Sequence, residues 1–141
     1  MRTLIGLLLL LPSVVFAAPG LWFEPAREGH GLSISAPTSG GHAVIWYLYR
    51  EDGSAAFLLG GPCREFPCVT ELFEPKARYM GGELDLGPPV GTLEIGEAKG
   101  DRMRVDFNLT AWTWPRCKGV SAMGYLWREC AGTITMHRLT P

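Results

Sequence analysis

DRMRVDFNL, residues 101–109, alternates more cleanly than any other stretch of the chain. Met103, Val105, Phe107 and Leu109 fall on one side of an extended segment; Arg102, Arg104, Asp106 and Asn108 fall on the other. A period of two sends successive side chains to opposite faces, so this segment predicts a strand with one buried and one wetted face. The same signal recurs on both sides of it. GLSIS (31–35), SAAFLLGG (54–61), CVTELF (68–73), GGELDL (81–86), VGTLEIGE (90–97), AMGYLW (122–127) and GTITMHRL (132–139) are short extended candidates between turn residues. AVIWYLYR (43–50) is apolar on both faces and reads as a central strand, joined to the next by the turn EDG in a hairpin. The best helical window, ELFEPKARYM (71–80), is broken by Pro75. The fold class is therefore all-β. The expected architecture is an antiparallel meander of about eight strands, closed or nearly closed into a barrel, with a β-sandwich as the alternative.

The first residues read differently. Arg2 precedes an apolar run from Leu4 to Val15, and Val15 and Ala17 are small residues before a cut. This is the pattern of a secretory signal peptide over residues 1–17, leaving one β domain over 18–141. The run is shorter than the ~20 residues a membrane helix needs, and Pro12 interrupts it. The expected location is the periplasm or the extracellular space, with no membrane insertion after signal removal. The formal net charge of −1 gives no pull toward nucleic acid.

The four cysteines, Cys63, Cys68, Cys117 and Cys130, make an even count in a chain read as exported, which predicts two disulfides. Local closure favours Cys63–Cys68 with Cys117–Cys130 among the three possible pairings. Zinc is the weaker reading, because no Cys-x-x-Cys pair accompanies CREFPC. No metal and no cofactor is expected.

GLWFEPAREGHGLSIS, residues 20–35, poses the functional question. Glu24, Glu28 and His30 are the residue types of acid–base chemistry, and His30, His42 and His137 are the types that hold a metal. The competing reading is a device for starting a strand. Trp22 and Phe23 anchor the segment at one barrel end, Pro25 stops helix growth, and Gly29 and Gly31 permit positive φ or a close backbone approach. Charges in such a loop are usually only surface. The strand-start reading is preferred.

That stretch, with AVIWYLYREDGSAAFLLGG (43–61) and the terminal GTITMHRLT, resembles a functionally uncharacterised family of exported bacterial β-domains opening with Gly-x-Trp-aromatic-x-Pro-Ala-x-x-Gly-x-Gly. The matching residues are Gly20, Trp22, Phe23, Pro25, Ala26, Gly29, Gly31, Trp46, Tyr47, Tyr49, Asp52, Gly53, Arg138 and Leu139. Ala56 and Phe57 stand where the family usually carries Trp. The resemblance implies export and β-structure, and no activity.

Two other groups bear on function. Glu83 and Asp85 share a strand face, as a glycosidase pair requires, but alternate leucines make them an exposed face. In AWTWPRC (111–117), Trp112 and Trp114 share a face if extended, with Arg116 and Arg128 near the cysteines. Large aromatics usually bury. Paired indoles beside a braced loop also suit a partner, so Trp112, Trp114, Arg116 and Arg128 are the candidate binding residues. The expected function is a non-catalytic binding module for a protein, or for a small apolar or glycan ligand; an envelope inhibitor or protective factor is one form of it. The alternatives are a small hydrolase using His30 with Glu24 or Glu28, and a structural envelope protein.

Overall fold

A computed structural model describes residues 19–26, 28–49, 53–76, 85–110 and 130–139. Eight strands run through them and no helix: β1 (Gly20–Phe23), β2 (Gly31–Ile34), β3 (His42–Tyr49), β4 (Ala55–Cys63), β5 (Cys68–Leu72), β6 (Gly91–Lys99), β7 (Arg102–Leu109) and β8 (Ala131–Arg138). Their order in one sheet is β4-β3-β2-β1-β8-β7-β6-β5, every pairing antiparallel. The sheet thus begins and ends on strands that follow one another in the chain. Leu59 and Phe73 bridge that seam, each N–H donating to the other's carbonyl at 2.8 Å. The Gly61 N–H donates to Thr70 Oγ1 across the same gap. The result is a meander nearly closed into a barrel. Closure hides the edges that an open sheet leaves free to pair.

Register places the apolar rows inside. Trp22, Leu32, Trp46 and Leu58 are successive partners across β1 to β4, and all are buried. Ile95, Val105 and Ile134 do the same across β6 to β8. The Trp46 ring meets Phe107 at 5.2 Å between centroids. β3 and β7 stand opposite each other whichever way round the sheet is counted. That contact therefore crosses the barrel axis, and side chains fill the interior at this level.

The segments depart from their sequence reading in two places. GLWF is a strand in its own right, with Trp22 in the central core instead of plugging one end. AVIWYLYR does lie between two neighbours, as β3, but only its inner face is covered: Tyr47 and Tyr49 are exposed. Among the described residues, no second layer lies over the outside of the barrel. In GGELDL, residues 81–84 lie outside the described residues; Asp85 makes one bridge with Lys76 and accepts the Gly87 N–H. The signal segment and AMGYLW also lie outside the described residues.

The two opening glycines serve different needs. Gly29 has φ +77°, and a Cβ there would overlap the Tyr49 ring. Gly31 lies in β2, where a Cβ would stand 3.0 Å from the Trp22 carbonyl oxygen. Gly29→Ala is expected to lower stability by about 1–2 kcal/mol, the cost of left-handed backbone for an L-residue, read by urea unfolding.

Cys63 and Cys68 are bonded, with Cα atoms 5.7 Å apart, in the connection between β4 and β5. Such a bond persists in oxidising compartments. Cys130 is also disulfide-bonded, while Cys117 lies outside the described residues. Replacing Cys63 and Cys68 together with Ala should cost about 2 kcal/mol, because the loop closed is short. Thermal melts with and without reductant check this.

Candidate functional site

The site is built from the uncovered face of the β3–β4 hairpin. Outward positions on β3 are Ala43, Ile45, Tyr47 and Tyr49; on β4 they are Ala55, Phe57, Leu59 and Gly61. None is charged. Tyr47 lies directly opposite Phe57, and Ile45 opposite Leu59. Exposure is 43% for Tyr47, 40% for Tyr49 and 43% for Phe57. Phe73, bridged to Leu59, extends the apolar surface across the seam. On the other flank, β2 sets Gly31 beside Tyr47 and Ser33 beside Ile45, so β2 places no bulky side chain next to them. The Tyr49 ring rests over the space that Gly29 leaves open. At the other end, a groove of about 400 Å³ runs over Ile45 and Leu59 between Thr38, Pro62, Phe73 and Leu86.

A second groove of about 430 Å³ has a different character. Glu97, Lys99, Arg102 and Arg104 line it on the opposite side of the barrel. Arg104 is engaged there: its Nε and Nη2 donate to the two Asp106 oxygens at 2.8 and 2.9 Å, and Thr133 also hydrogen-bonds Asp106. The Arg104 guanidinium, and then the Thr133 hydroxyl, hold the Asp106 carboxyl below its usual range. A depressed carboxylate pKa gives stability that is present at neutral pH and lost as pH falls through that lowered pKa. Arg104 is exposed and Asp106 half-buried, so solvent screens the pair and Asp106→Asn should change stability only slightly.

The acid–base candidates divide. Glu24 and His30 are buried and are joined through the backbone across the β1–β2 turn, the Glu24 N–H donating to the His30 carbonyl at 3.2 Å. Glu28 is exposed in the turn, as is Pro25. The histidines are not brought together. His30 precedes β2, whereas His42 follows it, with Nδ1 2.7 Å from the Ser35 carbonyl and its ring against Phe66. His137, on β8, lies beside Phe23. Trp112, Trp114, Arg116 and Arg128 lie outside the described residues.

Sequence reasoning missed Tyr47, Tyr49 and Phe57. The signal was present: a strand apolar on both faces, in a barrel one layer thick, must show one of those faces to solvent. Comparison with known proteins finds no matching family model, no matching curated protein and no matching solved structure.

Proposed function

We propose that this protein is an exported, non-catalytic binding module, periplasmic or extracellular, that engages its partner or ligand through the outer face of β3 and β4. The observation that carries the reading is the exposure of Tyr47, Tyr49 and Phe57 on a strand pair with no outward charge. Contiguous apolar surface of this kind on a soluble domain marks interaction sites. Aromatic rings suit the role because they offer large rigid area at little entropic cost. Export rests on the signal-like opening and fits the disulfide.

The test compares the oxidised mature domain with its Tyr47→Ser/Phe57→Ser variant, both immobilised and exposed to envelope extract. Material retained by the first and lost by the second, at equal melting temperature, is the expected result. Equal retention by both counts against this face. A second reading, a small hydrolase, draws on Glu24 and His30, both buried and joined through the backbone. It requires that His30→Ala abolish a hydrolytic activity while the fold melts unchanged. The binding reading expects His30→Ala to leave retention intact.

A further inference from the structure

We infer that the β3–β4 face takes an uncharged, β-linked glycan, laid flat along the aromatic row. The inference rests on the binding-module reading and names the class of ligand.

Size comes first. Eight residues of strand and two inter-strand spacings make a strip about 26 Å long and about 10 Å wide, roughly 260 Å² in outline. A stable protein interface uses about 800 Å² from each partner. The strip is too small for a second copy of the chain to hold by itself, and its shape is that of a slender occupant.

Charge and hydrogen bonding narrow the choice. The eight outward positions carry no charge, and neither do Gly31, Ser33 and Phe73 on the flanks. An ionic ligand would shed water there with nothing in return. An extended peptide has a different difficulty. It binds strands through a free edge; β3 is paired on both sides, and the outer side of β4 is tied to β5 and Phe73 at Gly61 and Leu59. Laid across the face, it would leave backbone donors and acceptors unpaired. A flat pyranose chain has neither problem. Its axial C–H groups make an apolar face to stack on rings, while its equatorial hydroxyls stay in water at the rim.

The rings are placed for this. Tyr47 and Tyr49 stand two residues apart on one strand, about 7 Å. Phe57 lies across from Tyr47 at about 5 Å. Together they form a disaccharide-sized platform. Ile45 and Leu59 continue it into the groove, which Ser35 and Thr38 also line, their hydroxyls donating to the Ala36 and Gly41 carbonyls.

The experiment is calorimetric titration of the oxidised mature protein with cellotetraose and with the β-1,4-linked N-acetylglucosamine tetramer. Maltotetraose, whose α-linkages curl the chain, is the contrast. At least one β-linked oligomer should bind and maltotetraose should bind more weakly. Phe57→Ala and Tyr47→Ala should each weaken binding about 5- to 10-fold, the size that marks a meaningful interface aromatic. Val69→Ala, an exposed apolar position on β5, should bind as wild type does. Near-UV circular dichroism of each variant separates lost binding from lost fold. The inference is overturned if neither β-linked oligomer binds, if maltotetraose binds as tightly as they do, if the Ala variants bind unchanged, or if sedimentation shows a dimer that Phe57→Ala dissolves. Should glycans fail while the serine double variant still loses retained material, the ligand class is wrong and the binding module stands. Unchanged behaviour in both experiments removes both.

Discussion

Trp46→Ala is expected to lower stability by about 3–5 kcal/mol, the range for deleting a buried indole. Trp46 is 2% exposed at the middle of β3, flanked in register by Leu32 and Leu58. Its ring reaches Phe107 on the far side of the barrel. Truncation therefore removes contact with both walls at once, and neither strand can close the gap without breaking its ladders. Domains of this kind are stable by only about 5–15 kcal/mol, so the loss is a large fraction of the total. Two refinements make the expectation sharper. Among the described residues the Trp46 Nε1 donor has no hydrogen-bond partner, so Trp46→Phe forfeits no hydrogen bond there and should cost clearly less. The space left by alanine is lined by apolar side chains, and such cavities stay dry and accept small apolar guests. Indole added to the Trp46→Ala variant should raise its melting temperature, as a ligand that binds only the folded state must. A melting point unmoved by indole, with a loss near 1 kcal/mol, would mean that the barrel has collapsed around the gap.

The barrel could be read from the chain because each strand had to solve the same problem alone. DRMRVDFNL became β7 with Met103, Val105, Phe107 and Leu109 all buried, since a sheet with one wet face leaves its alternation in plain sight. The local Cys63–Cys68 bond was legible for a related reason: short loops close easily. The candidate site was less legible. Trp112 and Trp114 drew notice by residue type, whereas the exposed rings of β3 and β4 sit inside strands that look like core. Tyr47 and Phe57 can be told from Trp46 and Leu58 only by register, which decides which of two apolar rows turns inward. Register also paired Glu24 with His30, a relation hidden in the sequence because the turn between them sets it.

Gly91→Ala is expected to cost about 3 kcal/mol or more, the upper range of overpacking, although alanine is the mildest change available. Gly91 opens β6 between two partners, Leu72 on β5 and Leu109 on β7. A Cβ there would overlap the Asn108 carbonyl oxygen and stand 2.9 Å from the Leu109 Cα. Both obstacles are backbone, so no rotamer change relieves them, and the strands would have to separate. They are tied together on each side of the glycine. The Val90 N–H donates to the Leu72 carbonyl at 2.7 Å, and the Thr110 N–H to the Val90 carbonyl at 2.9 Å. Parting β6 from β7 there strains the Thr110–Val90 bond and opens the layer holding Leu93 and Leu109. Gly100→Ala is the matched comparison. Gly100 turns the chain from β6 into β7 at φ +64°, with open space where a Cβ would go. Its substitution carries only the left-handed backbone cost, about 1–2 kcal/mol. Urea unfolding of both variants should therefore rank Gly91→Ala as the more damaging, although Gly100 is the position where backbone dihedrals alone demand glycine. The reverse ranking would show that β6 and β7 have room to part, and that closure at this end of the barrel is looser than the register implies.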